Sequence, residues 1–106
     1  MFNELNKSVK TVKDGIDLKA LDFVKLDKFV AQTVNVDGFF FTSGKFGKQV
    51  VVVGNGYKIN MPQRAVEQFE EIASSEAMVD AVLNGHLKIV DIRRLDTTTG
   101  YRLADC

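Results

Sequence analysis

Four consecutive valines at residues 50–53 constrain the fold of this chain more than any other feature of the sequence. β-Branched side chains favour extended backbone, and successive residues of a strand face opposite sides. A run that is apolar at every position therefore predicts a strand, residues 48–53, buried on at least part of both faces. The Gly54-Asn55-Gly56 sequence that follows is a hairpin signal, which places the next strand at residues 57–61.

A long apolar and aromatic segment precedes the valines. Residues 28–42 are rich in Val, Phe and Thr, and Val34 and Val36 fall in period-2 phase, which predicts a long first strand. Gly38 interrupts this strand, and an isolated glycine within a strand indicates a bulge or a sharp bend. Residues 43–47 then form a glycine-bearing loop between the first and second strands.

Helical signals begin at Pro62, because proline favours the first helical position. Apolar residues follow at i, i+4, i+7 and i+8 and form one helix stripe: Ala65, Phe69, Ile72 and Ala73. Ser74-Ser75 predicts the cap of a second short helix, which Gly85 ends. The remaining residues predict two strands, 86–95 and 101–104, joined by a turn.

The predicted order of strand, strand, strand, helix, strand, strand is that of the OB-fold, a partly open Greek-key barrel. A long bent first strand serves both halves of a small barrel. Residues 28–106 are therefore predicted to form a mainly β, OB-like five-stranded Greek-key barrel with one or two short helices between strands 3 and 4. The alternative is an α+β sheet with one helix layer. Residues 1–27 are predicted as an N-terminal arm or extra element: a helix, an edge strand near Phe23-Val24, or an arm that orders on a partner.

The charges balance over the chain but not along it. The chain has 14 basic and 14 acidic residues, and this zero net charge alone argues against a nucleic-acid binder. Residues 38–66 nevertheless hold four bases and no acid, whereas residues 67–87 hold five acids and no Lys or Arg. OB-folds bind oligonucleotides or oligosaccharides through the face of strands 2 and 3 and through the loops joining strands 1–2 and 4–5. The acid-free segment covers three of these four elements.

Three segments carry a resemblance to a known family: residues 45–53 (KFGKQVVVV), 59–62 (INMP) and 65–72 (AVEQFEEI). Together they are similar to small OB-fold single-stranded DNA-binding proteins of Gram-positive phages and mobile elements. The resemblance covers about the last two thirds of the chain. It implies non-sequence-specific binding of single-stranded DNA in phage or mobile-element replication or recombination.

Phe39, Phe40 and Phe41 cannot all face one side of a strand. Either Phe40 faces inward and its two neighbours face outward, or the reverse. Together with Phe46 and Tyr57, outward rings at Phe39 and Phe41 predict a platform on which bases stack, each stacked base contributing about 1–3 kcal/mol. The alternative is that the N-terminal arm or a second subunit covers the outer face.

Phosphate contacts are predicted from basic residues on the same elements, because each neutralised phosphate releases condensed counterions. These residues are Lys45, Lys48, Lys58, Arg64, Arg93 and Arg94. The sequence thus predicts a non-enzymatic binder of single-stranded DNA, whose avidity oligomerisation would raise. Stacking does not distinguish DNA from RNA. The alternative function is a small protein-interaction domain, such as a phage inhibitor or assembly factor, that uses the outward phenylalanines.

Catalysis and metal binding have little support in the sequence. His86 is the only histidine and Cys106 the only cysteine. A Cys–His pair needs a third orienting group, and a zinc site needs further ligands. We predict no enzyme activity, no cofactor and no metal. The N-terminal residues lack the apolar region of a signal peptide, and no apolar run is long enough to span a membrane, which predicts a cytoplasmic location.

Overall fold

The strands of this protein build one curled sheet. The structure, a computed structural model, describes residues 11–12, 15–44 and 47–105. Six strands form a mixed sheet that curls into a half-barrel. They are β1 (Asp22–Lys25), β2 (Val34–Gly44), β3 (Gly47–Gly54), β4 (Tyr57–Asn60), β5 (Leu87–Arg94) and β6 (Thr99–Asp105). Their order across the sheet is β1-β4-β3-β2-β5-β6.

Helices occupy two places in the chain. Helices α1 (Ala65–Ala73) and α2 (Glu76–Leu83) lie between β4 and β5, as the apolar stripe predicts. Two short 3-10 helices, Leu18–Ala20 and Leu26–Phe29, flank β1. None of the helices in the described ranges is long and apolar enough to cross a membrane.

The prediction of a mainly β chain is confirmed, but the prediction of five strands is wrong. The additional strand is β1, which pairs in parallel with β4. Within the described part of residues 1–27, β1 matches the predicted edge strand near Phe23-Val24. Strands β1 and β6 are the two edges of the sheet, and within the described residues they do not pair with each other.

The first predicted strand begins later than the sequence indicates. Residues Leu26–Phe29 form a 3-10 helix, and Ala31 adopts a left-handed φ of 64°, so the strand starts at Val34. The bulge predicted at Gly38 is confirmed by a register shift between Val36 and Gly38. Strand β2 pairs with β5 at Val34 and Asn35 and with β3 from Val36 onwards.

The β3–β4 hairpin turns at Asn55 and Gly56, as predicted. Both residues have positive φ, 51° and 82°, which is the type I′ geometry that an Asn-Gly pair favours. The Asn55 amide fixes the turn: it accepts from the backbone N–H of Asn35 at 3.1 Å and donates to the carbonyl of Thr33 at 3.0 Å. The resulting register sets Val52 opposite Ile59 and so determines which side chains of β3 and β4 share a face.

The valine run is buried on both faces of β3, as predicted. Val50 and Val52 belong to the core that packs against the helices, and Phe39 and Phe69 lie in the same core with their ring centroids 5.0 Å apart. We call this side of the sheet the inner face. Val51 and Val53 lie on the opposite, outer face, where they are only 1% and 2% exposed. The outer face is therefore covered along β3.

Ser75 caps α2 and gives the first testable prediction. Its hydroxyl oxygen accepts from the backbone N–H of Met78 at 3.3 Å. Ser75→Ala leaves this N–H without its partner and should lower the free energy of unfolding by about 1 kcal/mol in urea titrations. Ser74→Ala is the matched control, since the Ser74 hydroxyl donates to the Glu71 carbonyl and caps no N–H. Equal losses in the two variants would contradict the cap.

Candidate functional site

Strand register defines the side chains that share the outer face. One row across β1, β4, β3 and β2 consists of Phe23, Lys58, Val53 and Gly38. The next row consists of Lys25, Asn60, Val51 and Phe40. Strands β3 and β4 correspond to the second and third predicted strands, which the sequence assigns to ligand binding.

The N-terminal segment covers part of the outer face. The Phe39 N–H donates to the Thr11 carbonyl at 2.9 Å, and a Cβ at Gly38 would lie only 2.5 Å from the Cα of Val12. This close approach requires glycine at position 38. The N-terminal segment therefore covers the outer face beside β2. This is the alternative that the sequence offered to an open stacking platform.

The outer face is open at its other side, along β1. Phe23 is 55% exposed, the largest exposed fraction among the large hydrophobic residues of the described ranges. The Lys58 Nζ lies 4.2 Å from the centroid of the Phe23 ring, within the range of a cation–π contact. Lys25 follows Phe23 by two residues and so shares its face. An exposed ring and two ammonium groups are thus neighbours at this edge.

A cleft of about 210 Å³ lies beside this edge. It is bounded by the end of β1, by β3 and β4, and by the turn between β5 and β6. In this turn the Leu95 N–H donates to the Thr98 carbonyl at 2.8 Å. Its polar lining consists of Lys25, Asp27, Gln49, Asn60, Thr98 and Thr99. The cleft therefore joins three of the four elements that the sequence assigns to ligand binding.

Basic groups outnumber acidic ones around the cleft. Arg64 donates to the carbonyl of Thr99 at 3.2 Å, and Arg94 lies 3.4 Å from the Asp27 carboxylate while its side chain stays 72% exposed. In the described ranges, Asp27 is the single carboxylate that lines the cleft. The basic groups are Lys25 in the lining and the two arginines at its border. The resulting positive potential favours an anionic ligand.

Tyr101 helps to hold the Arg64 guanidinium, which lies 5.1 Å from the centroid of its ring. The Tyr101 hydroxyl donates to Oε1 of Gln68 on α1. Burial raises the pKa of Tyr101, and the nearby Arg64 opposes that effect. The hydroxyl therefore stays protonated near neutral pH and ties β6 to the helix beside the cleft.

Two predicted stacking residues lie on the inner face. Phe39 is fully buried, so its prediction as a base-stacking ring is wrong: the ring packs between Phe41 and Phe69. Phe41 is half-buried beside it, with the Nζ of Lys48 4.5 Å from its ring centroid. Lys48 also pairs with Glu70 on α1 at 3.2 Å. Lys48 and Phe41 therefore sit against the helix, away from the outer face.

The remaining predicted residues divide between the two sides. Tyr57 is half-buried on the inner side, where its ring makes an edge contact with Phe29 at 5.9 Å. Lys58 is on the outer face, and Arg93 and Arg94 are exposed on β5 opposite the first residues of β6. Lys45 and Phe46 lie outside the described residues. The structure thus brings Lys58, Arg94 and Arg64 near the cleft, but not Phe39, Phe41, Lys48 or Tyr57.

Sequence reasoning missed Phe23, Lys25, Gln49 and Asn60 as site residues. Only the parallel pairing of β1 with β4 sets Phe23 beside Lys58, and that pairing joins segments more than thirty residues apart. An available signal was the apolar pair Phe23-Val24 between the charged residues Asp22 and Lys25. His86 is exposed, and the described ranges contain no cluster of three residues suited to a metal ion.

No protein-family model matches this chain, and no curated protein or solved structure was found to be similar to it.

Proposed function

We propose that this protein binds single-stranded DNA without sequence specificity, along the outer face of β1 and β4 and through the adjoining cleft. The observation that carries the proposal is the exposed Phe23 ring with the Lys58 ammonium 4.2 Å from its centroid, beside a polar cleft that Lys25 lines and that Arg64 and Arg94 adjoin. Binding of this kind needs both an aromatic surface for the bases and positive charge for the backbone. Here the two occur together.

The strand connectivity supports the placement of this site. We propose that strands β2 to β6 correspond to the five strands of an OB-like barrel, because two helices lie between the third and fourth of them and the bulged β2 pairs with both β3 and β5. In OB-folds the strand 2–3 face and the loop between strands 4 and 5 bind oligonucleotides. The corresponding parts here are β3, β4 and the β5–β6 turn. Strand β1 is an addition that extends this face beyond β4.

Each group of side chains has a distinct role in the proposed complex. Phe23 stacks on a base, which any base satisfies because all have a π-face. Lys25, Lys58 and Arg94 contact phosphates. The amides of Gln49 and Asn60, both in the cleft, donate and accept hydrogen bonds and so suit the edge of an unstacked base. Stacking supplies much of the affinity, since the chain carries no net charge.

The alternative function, a small protein-interaction domain, has less support. It relied on several outward phenylalanines, but within the described ranges Phe23 is the only phenylalanine that is mostly exposed. Protein interfaces are depleted in lysine, whereas two lysines adjoin this ring. The surface therefore fits a nucleic acid better than a protein partner.

Titration of fluorescently labelled oligo(dT) at several salt concentrations tests the proposal. We expect binding whose log K falls linearly with log salt concentration, by about 0.7 for each phosphate neutralised. Duplex DNA should bind more weakly, because its bases are stacked inside the helix. Binding to oligo(dT) that is undetectable or insensitive to salt would overturn the proposal. A parallel titration of oligo(rU) measures the preference for DNA over RNA.

The lysines of the outer face should determine the salt dependence. Lys58→Ala and Lys25→Ala should each reduce the slope of log K against log salt by about 0.7, since each removes one phosphate contact. Lys88→Ala is the matched control: Lys88 lies on β5 six residues from Arg94, about 20 Å along the strand. If Lys88→Ala changes the slope as much as Lys58→Ala, the charge effect is general and the site assignment is wrong.

A further inference from the structure

A second hollow shares no lining residue with the cleft of the proposed DNA site. It has a volume of about 280 Å³ and opens between the helices and the ends of β5 and β6. Its lining is mainly apolar and includes Ile72, Met78, Val82 and Leu103. Met78 is 52% exposed, although a methionine on a helix ordinarily buries its side chain. The hollow thus presents apolar surface to solvent.

The strand beside this hollow has an open edge. Strand β6 pairs with β5 on one side, and no other strand of the described ranges pairs with its second side. Leu103, Ala104 and Asp105, at the end of β6, all line the hollow. An extended peptide that pairs with this edge would direct every second side chain towards the hollow.

The two helices that border the hollow are acidic. Helices α1 and α2 carry five acids and no Lys or Arg, and Asp105 lines the hollow itself. Among these helix acids the only ion pair with a described residue is that of Glu70 with Lys48. Glu67, Glu71, Glu76 and Asp80 are all exposed. A ligand of this surface must therefore be cationic as well as apolar.

We infer that β6 and the hollow form a docking site for an extended basic segment of a partner protein, which adds a strand to β6 and inserts one apolar side chain between α2 and β6. Backbone hydrogen bonds to β6 supply affinity, the hollow selects the apolar residue, and the helix acids select basic flanking residues. A second copy of this chain fits less well. Pairing of two β6 edges would bring two acidic helix layers together, and like charges repel.

Binding of a designed peptide tests this inference. The probe is a fluorescein-labelled heptapeptide, Thr-Lys-Thr-Leu-Thr-Lys-Thr, in which an extended backbone directs both lysines and the leucine to one side. One control peptide has glutamate in place of both lysines, and another has serine in place of leucine. We expect each change to weaken binding by about tenfold, as loss of an apolar anchor or reversal of charge predicts.

Two variants of α2 locate the peptide. Met78→Lys places a positive charge and a polar group in the hollow and should weaken peptide binding by about tenfold. Ala77→Lys makes the same charge change at the adjacent exposed residue, which does not line the hollow, and should weaken binding by less than about threefold. Neither variant should alter oligo(dT) binding, so failure of the docking site and failure of the DNA site are distinguishable.

Nuclear magnetic resonance gives the second measurement. Added peptide should shift the backbone amide signals of β6 and slow the exchange of its outer N–H groups. Equal affinity for the lysine and glutamate peptides, equal effects of Met78→Lys and Ala77→Lys, or shifts confined to other strands would overturn the inference. So would sedimentation showing a dimer that Met78→Lys dissociates, because a second copy would then occupy the edge.

Discussion

Phe23→Ala is expected to weaken oligo(dT) binding by about 1–3 kcal/mol, a factor of about 5 to 150 in Kd. The ring is 55% exposed on the edge strand and lies under the Lys58 ammonium, so it offers one open π-face beside the cleft. Alanine removes that face but no charge. The loss should therefore appear at every salt concentration, with an unchanged slope of log K against log salt.

Two controls isolate the ring from other effects of this substitution. Phe23→Tyr keeps an aromatic face and should retain binding within about threefold. Met78→Ala removes an exposed apolar side chain from α2 and should leave oligo(dT) binding unchanged. If Phe23→Ala binds oligo(dT) as the parent does, or if it loses affinity only through a smaller salt slope, Phe23 does not stack on a base.

Phe39→Ala is expected to lower the free energy of unfolding by about 3–5 kcal/mol, the typical cost of removing a buried phenylalanine side chain. The Phe39 ring is fully buried, 5.0 Å from the ring of Phe69 and 5.9 Å from that of Phe41. Its loss leaves a cavity between the sheet and α1. A domain of this size has a total stability of about 5–15 kcal/mol, so urea unfolding at low temperature is the suitable measurement.

Phe39→Leu is the variant that keeps the prediction testable if Phe39→Ala does not fold. Leucine fills much of the space, and the smaller loss in stability should leave a folded protein. This folded variant should bind oligo(dT) with the affinity of the parent. A loss of affinity in a stably folded Phe39→Leu protein would mean that Phe39 reaches the ligand, in conflict with its burial.

Local features of this fold follow from the sequence. The Asn55-Gly56 turn, the Ser75 cap and the left-handed Gly85 after α2 each depend on the conformational preferences of one or two residues. The valine run likewise identifies a strand buried on both faces without any knowledge of its neighbours. These features are predictable because the interactions that produce them lie within a few residues.

The orientation of the three consecutive phenylalanines depends on one structural detail. Val34 and Val36 face inward, and strict alternation would put Phe40 in phase with them. The bulge at Gly38 shifts the phase by one residue, so that Phe39 enters the core three positions after Val36. Glycine indicates a bulge but not its effect on phase, and for that reason the sequence left both orientations open.

The strand that pairs with β1 also could not be predicted from the sequence. Its four residues carry a weak strand signal, and the pairing with β4 joins Phe23 to Lys58 across the hairpin and the long strand between them. A parallel pair has no connecting turn that fixes its register. The sequence prediction gave Lys58 aromatic partners from β2, whereas the exposed ring beside Lys58 belongs to β1.

The short β1 strand has a thermodynamic consequence for the proposed complex. It has four residues and, in the part of the chain that the structure describes, a single neighbouring strand; such an element opens locally at a free-energy cost well below that of global unfolding. Undocking of β1 separates Phe23 and Lys25 from the groups of β4. The apparent Kd then equals the intrinsic Kd divided by the fraction of molecules with β1 docked. DNA binding and the docking of β1 on β4 are thus linked equilibria. In the proposed complex, DNA stabilises the docked β1 strand, and a ligand that displaces β1 weakens DNA binding without contacting the DNA.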